Sequence, residues 1–243
     1  MSVPGFFTHI REYQLPHPRI SLRVVLVTHL ALAKAFELLR NEPPAGFVLS
    51  TAKEDEITRQ LHWILENRLL STGEVPGFDR RRIANVIRAP EVTNHDGKHP
   101  AKKPDLVLFV LRRASFSVIS SHDGIVAECK PVDDQHQIGR HYCDNGIGRF
   151  VNGDYAWAMQ EGLMVGYVRG GRTIGADLAP ILASDPRHEG LGSPQPPSPV
   201  GSSYASHDSQ ALHETVHRRS FQWPLNFGIA CQISLFHSWH NCS

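Results

Sequence analysis

Two acidic side chains and a lysine lie at the ends of two short apolar segments. Asp105 directly precedes the apolar run 106–111, and Glu128 and Lys130 close a second apolar run. Both runs are rich in branched aliphatic residues and are bounded by turn-forming residues, which predicts two β-strands. Since side chains alternate between the two faces of a strand, Glu128 and Lys130 project to one side and Cys129 projects to the other.

If these strands pair as antiparallel neighbours, Asp105 begins the first and Lys130 ends the second, so Asp105, Glu128 and Lys130 meet at one end of the ladder. Charges removed from water need an opposite charge or a metal ion. Two carboxylates beside an ammonium group suit a hard divalent cation and a water activated for attack on phosphorus. The alternative is a buried ion pair between Lys130 and Glu128 or Asp105, with no catalytic role.

The order Pro104-Asp105, an apolar strand and then Glu128-Cys129-Lys130 resembles the PD-(D/E)XK nuclease superfamily. This resemblance implies an α/β, restriction-endonuclease-like fold with a mixed central β-sheet flanked by helices. It also implies an Mg²⁺- or Mn²⁺-dependent nuclease, with an endonuclease favoured over an exonuclease. Asp105 and Glu128 would bind the metal, and Lys130 would orient or deprotonate the attacking water. The main-chain carbonyl of Cys129 could add a ligand, because strand carbonyls lie in the sheet plane beside the carboxylates.

An amphipathic helix is predicted upstream, because Ser50-Thr51 can cap it, apolar residues recur at helical spacing from Ile57, and Gly73 ends it. In the superfamily, the first helix of the core often supplies an acid to the metal site. Glu56 is the first candidate for this catalytic and metal-binding role, because it neighbours Ile57 on the buried face, and Glu54 is the second. Stabilisation of the helix dipole is the alternative role of these acids.

The candidates for nucleic-acid binding lie on either side of the two strands. Lys98, Lys102 and Lys103 immediately precede the acidic site and could hold a phosphate backbone, although a solvated loop is an equal alternative. A helix is predicted to begin at 133–134 and to run to about 142. In the superfamily, the helix after the lysine often contributes a glutamine or a tyrosine near the site, which selects Gln137 and Tyr142.

Composition limits the kind of nucleic-acid surface that the chain can offer. The formal net charge of the 243 residues is only +1, so any basic surface must be local, for example at 80–82. The four cysteines are widely separated, which favours a reducing compartment over a disulfide framework. No apolar stretch has the length of a membrane span, and the first residues do not resemble a signal peptide. We expect a soluble cytoplasmic protein without a membrane partner.

The pattern along the chain predicts four segments. These are an N-terminal lead-in and helix (1–48), the nuclease core (49–183), a flexible Pro/Ser/Gly-rich loop (184–212) and C-terminal strands that return to the core (213–243). The resemblance covers residues 50–170. Further elements are predicted as strand 83–87, helix 154–161, strand 163–169, and a terminal hairpin of 217–223 and 228–237 at the edge of the sheet.

The sequence therefore favours a Mg²⁺-dependent phosphodiesterase that acts on nucleic acid, with DNA as the expected substrate. The resemblance suggests the nuclease component of a bacterial or phage-defence system, either as a homodimer or in a larger complex whose other subunits supply recognition. Two alternatives remain open. One is a catalytically inactive nucleic-acid-binding or assembly module that retains the fold, and the other is a dimeric repair or junction-resolving nuclease.

Overall fold

A computed structural model of the chain describes residues 13–112, 118–201, 210–224 and 227–243. Within these ranges, seven strands form one sheet. In chain order they are β1 (Ile83–Arg88), β2 (Leu106–Val110), β3 (Gly124–Val132), β4 (Glu161–Val168), β5 (Ser198–Val200), β6 (Leu212–His217) and β7 (Ile233–Asn241). Their spatial order is β1-β2-β3-β4-β7-β6-β5.

The sheet is mixed. Strands β1, β2 and β3 pair antiparallel, β3, β4 and β7 pair parallel, and β7, β6 and β5 again pair antiparallel. Every residue of the central strand β4 is buried, as expected of a parallel strand that is covered on both faces. The predicted α/β class with a mixed central sheet flanked by helices is confirmed.

The helices lie on both faces of this sheet. They are α1 (Leu22–Asn41), α2 (Glu54–Trp63, extended by Ile64–Leu69 and Leu70–Thr72), α3 (Gly139–Ile147, extended by Gly148–Val151), α4 (Ile174–Leu178 with Ala179–Leu182) and α5 (Arg187–Gly190). The extension of α2 and the first part of both α3 and α4 are π-helical. None of the helices in the described ranges is long and apolar enough to cross a membrane.

Contacts with β4 and β7 show which helix covers which face. Tyr167 of β4 packs against Phe36 of α1 and hydrogen-bonds through its hydroxyl to Thr58 of α2 (2.7 Å). On the other face, Trp239 of β7 donates from Nε1 to the hydroxyl of Tyr142 in α3 (2.9 Å). α1 and α2 therefore cover one face, and α3 covers the other.

Pro131 lies within β3 and does not end this strand. The predicted end of this strand at Lys130 is wrong, because β3 continues to Val132 and Pro131 is paired with Tyr167 of β4. The N–H of Cys129 points towards β2. Residues two positions apart in a strand point their main-chain groups to the same side, so the N–H that Pro131 lacks would also have pointed towards β2. The paired register with β2 has already ended at Ala127, and Pro131 thus removes no ladder bond.

Other predicted elements also differ from the structure. The predicted helix 154–161 is wrong, because 152–160 forms turns that include positive φ angles at Gly153 and Ala156, and β4 begins directly afterwards. The helix predicted over 133–142 begins later and passes through Gly146 and Gly148, since tertiary packing outweighs the low helix propensity of glycine.

The C-terminal strands are placed differently from the prediction. The last strand, β7, lies inside the sheet between β4 and β6, and not at its edge. β6 begins within the predicted loop 184–212, which also contains α5 and β5, whereas its residues 202–209 lie outside the described residues. Residues 1–12 of the predicted lead-in also lie outside them. The segments 49–183 and 213–243 contribute to a single sheet.

A chain of buried polar side chains connects α3 with the last strands. The hydroxyl of Tyr142 hydrogen-bonds to Nδ1 of His237 (2.9 Å), and Nε2 of His237 hydrogen-bonds to Thr215 (2.7 Å). The hydroxyl of Thr215 also meets Nε2 of His217 (2.7 Å), whose Nδ1 faces the carbonyl of Leu191 (2.7 Å). Burial lowers the pKa of His217 to about 4 and lowers the pKa of His237 well below its usual value.

A second buried pair lies on the opposite face. Nδ1 of His29 in α1 hydrogen-bonds to the hydroxyl of Ser238 (2.7 Å), which also meets Nε2 of His240 (2.7 Å). Phe36 stacks on the His240 ring. Burial lowers the pKa of His29 to about 4 and the pKa of His240 well below its usual value. The fold thus holds histidines in their neutral form on both faces of the sheet.

We expect these histidines to make the fold sensitive to acid. Between about pH 6.5 and about pH 4, the unfolded chain binds protons that the folded histidines do not, so the contribution of these four histidines to stability is intact above this window and is lost as the pH decreases through it. Each such histidine costs about 1.4 kcal/mol per pH unit. Urea unfolding at several pH values across this window measures the loss, and a constant free energy of unfolding would contradict it.

Candidate active site

The register of β2 and β3 brings the three predicted charged residues together. Leu106 lies opposite Ala127, so Asp105 enters β2 beside Glu128. Oδ2 of Asp105 accepts a hydrogen bond from the main-chain N–H of Cys129 (2.7 Å). This bond fixes the Asp105 carboxylate at the point where the β2–β3 ladder ends.

Lys130 is shared among three carboxylates. Its Nζ lies 3.0 Å from Oε1 of Glu128, 3.1 Å from Oε1 of Glu54 and 3.8 Å from Oδ2 of Asp105. The Lys130 side chain is only 12% exposed. Burial lowers the pKa of Lys130, but the charges of the three carboxylates outweigh burial and raise this pKa above its usual value. The site is a compact acidic cluster around one ammonium group.

The acid supplied by α2 is Glu54, not Glu56. Glu56 is exposed, and its Oε2 accepts a hydrogen bond from the main-chain N–H of Lys53 (2.9 Å), which stabilises the start of the helix. The preference for Glu56 is therefore corrected by the geometry. Helical spacing contained the relevant signal, because Glu54 precedes the buried residues Ile57 and Thr58 by three and four positions, on the same face of the helix.

Glu128 is the most deeply buried acid of the cluster. Its side chain is 3% exposed, and its Oε2 is buried without a hydrogen-bond partner among the described residues. Burial, reinforced by the charge of Asp105, raises the pKa of Glu128 to about 8 in spite of Lys130 and Arg149 nearby. A buried carboxylate oxygen without a partner is costly, and a cation would satisfy it.

The main chain offers another oxygen at the same place. The N–H and C=O of a strand residue point to the same side, so the carbonyl of Cys129 lies on the side of β3 where its N–H meets Asp105. Extending the register by two residues would place Pro104 opposite Cys129, and proline has no N–H to donate to that carbonyl. The Cys129 thiol is on the other face, near Tyr167, and burial raises its pKa well above the usual value.

Carboxylate and carbonyl oxygens are the ligands that a hard divalent cation prefers. In the described part of the chain, no group of three or more His, Cys, Asp and Glu side chains is arranged to hold a metal ion. A cation here would be held by the carboxylates of Asp105 and Glu128 and by the Cys129 carbonyl, with waters completing its coordination. Mg²⁺ commonly binds through one or two carboxylates and retains several waters, so this donor set suits it.

Two residues of the site were missed by sequence reasoning. Nε of Arg149, at the end of α3, lies 3.6 Å from Oε1 of Glu128, and its Nη1 donates to the hydroxyl of Tyr155 (2.7 Å). That hydroxyl donates in turn to the main-chain carbonyl of Lys103, just before the acidic site (2.8 Å). No local pattern could have selected Arg149 or Tyr155, because their position depends on how α3 packs on the sheet.

The predicted basic surface is largely paired within the protein. The lysines before Asp105 each contact an acid, as do two of the arginines before β1. The pairs are Lys98–Asp96 (3.2 Å), Lys102–Asp154 (2.8 Å), Lys103–Glu91 (3.1 Å), Arg80–Glu66 (2.8 Å) and Arg82–Asp79 (3.0 Å). Lys98 and Lys103 remain exposed, whereas Lys102 is partly buried. These contacts reduce the positive charge that the segment can offer to a phosphate backbone.

The two candidates after Lys130 have different positions. Gln137 is exposed, just before α3. Tyr142 is completely buried between Trp239 and His237, and both contacts lie on the β7 side of the sheet. The prediction that Tyr142 contacts nucleic acid is therefore corrected, because the spacing that selected this residue also matches the face of α3 that packs into the core.

We expect the E128Q variant to be as stable as wild type or more stable, by about 1 kcal/mol, and the K130M variant to be less stable, by about 3 kcal/mol. Glutamine at position 128 no longer has to be protonated or kept charged in a buried place, whereas removing the lysine leaves the other carboxylates without their shared partner. If the cluster were a simple structural ion pair, both substitutions would destabilise the fold by similar amounts. Urea unfolding in the presence of EDTA separates these outcomes.

The pH dependence of the E128Q effect has a definite sign. Between its usual pKa of 4.5 and about 8, folded Glu128 retains a proton that the unfolded chain has lost, so wild-type stability decreases as the pH rises through this window. The E128Q variant lacks this loss. Its advantage over wild type should therefore be larger at about pH 8.5 than at about pH 5.5. An advantage that shrinks with rising pH would contradict the burial of an ionisable Glu128.

No protein-family model matches the chain, and neither a curated protein nor a solved structure is detectably similar to it. The chemistry of the acidic cluster is accordingly inferred from its own residues. These are Asp105, Glu128 and Glu54 around Lys130, with the Cys129 carbonyl and Arg149 beside them.

Proposed function

We propose that this protein is a metal-dependent nuclease that hydrolyses phosphodiester bonds of nucleic acid, with DNA as the expected substrate. The observation that carries this proposal is the buried, unpartnered Oε2 of Glu128 beside the Asp105 carboxylate and Lys130. An unpaired buried oxygen is costly in a purely structural ion cluster, and a cation bound beside Asp105 would remove that cost. The likeness of the Pro104-Asp105 and Glu128-Cys129-Lys130 pattern to PD-(D/E)XK nucleases agrees with this chemistry and suggests a restriction-endonuclease-like core.

Asp105, Glu128 and the Cys129 carbonyl would hold Mg²⁺ or Mn²⁺. Such an ion, when bound, lowers the pKa of a coordinated water and offsets negative charge on the phosphate. Lys130 places its ammonium group between the carboxylates, where it can orient the attacking water or take part in its deprotonation. Glu54 contacts the same ammonium and can position it or a metal-bound water.

The weak basic surface favours a nuclease whose nucleic-acid target is recognised by another subunit or by a second copy of the chain. The net charge is +1, and the lysines near the site are paired with acids, so long-range attraction of nucleic acid is modest. A role as the nuclease component of a cytoplasmic bacterial or phage-defence assembly agrees with this. In such an assembly, other subunits or a second copy of the chain would supply recognition.

Cleavage assays with Mg²⁺ or Mn²⁺ test this function. We expect wild type to cleave at least one nucleic acid and to lose activity in EDTA. The D105N, E128Q and K130M variants should lose at least about 10²-fold in rate, because each removes a group that holds the metal or stabilises transition-state charge. Exposed His99, which lies outside the cluster, supplies the matched control H99Q, which should cleave like wild type.

The substrates should include linear, circular, single-stranded and four-way-junction DNA as well as RNA. Cleavage restricted to four-way junctions would identify a junction-resolving enzyme. Binding without cleavage by folded wild type, with every substrate and both metals, would identify a non-catalytic module. Equal cleavage by wild type and all three site variants would refute the assignment of Asp105, Glu128 and Lys130.

A further inference from the structure

A nuclease site must hold its phosphate as well as its metal, and the lysines near this site are poorly placed for that task. Lys130 already contacts three carboxylates. Lys102 and Lys103 are paired with Asp154 and Glu91. A cation whose charge is shared in this way attracts an additional anion weakly, so the group that holds phosphate must be sought elsewhere around the cluster.

Arg149 is a further cation beside the acids, and it contacts one of the three carboxyl groups of the cluster. Its side chain is 38% exposed, whereas Glu128, which it faces at 3.6 Å, is almost fully buried. The guanidinium thus extends from the buried acid towards solvent. Two hydrogen bonds to the protein fix the position of the guanidinium. Nε donates to the carbonyl of Asn145 (2.7 Å), and Nη1 donates to the hydroxyl of Tyr155 (2.7 Å). Among the described residues, Nη2 has no hydrogen-bond partner.

We propose that Arg149 binds a non-bridging oxygen of the nucleic-acid phosphate through Nη2, and that Tyr155 positions the guanidinium for this contact. This inference rests on the nuclease function proposed above. Arginine suits the role because its planar group presents several N–H donors in a fixed fork that matches phosphate oxygens. Since Nε and Nη1 are held by the protein, little side-chain entropy is lost when Nη2 binds.

Tyr155 connects this cation to the chain segment that enters the acidic site. Its buried hydroxyl accepts from Arg149 and donates to the carbonyl of Lys103, two residues before Asp105. The Arg149 guanidinium also lies over the Tyr155 ring, 5.3 Å from its centre. The same tyrosine therefore holds the guanidinium in a fixed position relative to the segment that leads into Asp105.

The test compares wild type with R149A, R149K and Y155F, and uses R140A as a matched control. Arg140 is an exposed arginine near the other end of α3, and among the described residues it makes no hydrogen bond or ion pair with the acidic cluster. Binding of a short fluorescein-labelled DNA duplex is measured by anisotropy with Ca²⁺ in place of Mg²⁺, over about 50 to 200 mM salt. Cleavage is measured separately with Mg²⁺, and urea unfolding verifies that each variant is folded.

For R149A we expect the slope of log affinity against log salt to decrease by about 1, which is the loss of one phosphate contact. Its kcat/KM should fall by about 10²-fold. R149K should recover part of the binding but less of the rate, because lysine keeps the charge and loses the fork. Y155F should reduce kcat/KM in wild type and have little further effect in R149A, since it acts through Arg149.

The outcomes separate this inference from the nuclease proposal. If wild type cleaves DNA and folded R149A keeps both its kcat/KM and its salt slope, Arg149 does not bind phosphate and the nuclease assignment stands. If R149A loses stability but keeps its salt slope, Arg149 has only a structural role and the inference is wrong. If wild type neither binds nor cleaves nucleic acid, the proposed function fails and the Arg149 inference fails with it.

Discussion

The site depends on one ammonium group that is shared among carboxylates at the end of a covered sheet. Lys130 contacts Glu128, Glu54 and Asp105, which come from β3, from α2 and from the start of β2. Three carboxyl groups in so small a volume make each negative charge costly, and burial together with the charge of Asp105 raises the pKa of Glu128 to about 8 in spite of Lys130 and Arg149. The cluster is therefore electrostatically incomplete. A divalent cation bound to Asp105 and Glu128 would supply the missing positive charge, which links the instability of the site to its proposed chemistry.

Pro104 and Pro131 allow the pairing of β2 with β3 to end beside the acidic cluster. Pro104 cannot donate to the carbonyl of Cys129, and the N–H of Cys129 donates to the Asp105 side chain in place of a carbonyl of β2. Pro131 lacks an N–H on the same side, so β3 continues beside β4 without a need for further pairing with β2. Beyond Ala127, β3 is therefore paired with β4 only, and a carboxylate and a carbonyl lie at its open side.

The sequence predicts those parts of the fold and the site that depend on interactions between residues close together in the chain. Local alternation and turn residues, which act over a few positions, predict β2 and β3. The antiparallel pairing of these two successive strands then predicts that Asp105, Glu128 and Lys130 meet. The choice of Glu54 over Glu56 was within reach of helical periodicity. The burial of Tyr142, the central position of β7 and the approach of Arg149 were not, because each is set by packing between segments far apart in the chain. Strand pairing of this kind leaves no mark in a short window of sequence.

Helix α3 shows how distant packing can control the charged cluster. Tyr142 anchors this helix to His237 and Trp239 of β7. Gly146 allows it to approach the sheet closely, since a Cβ at this position would lie 2.6 Å from Cε of Met164 and 3.6 Å from Cγ of Lys130. One turn later, the same helix carries Arg149 to Glu128. The buried contacts of β7 therefore determine how deep α3 sits and where Arg149 points, and a change in that packing would alter the site without touching any of its charged groups.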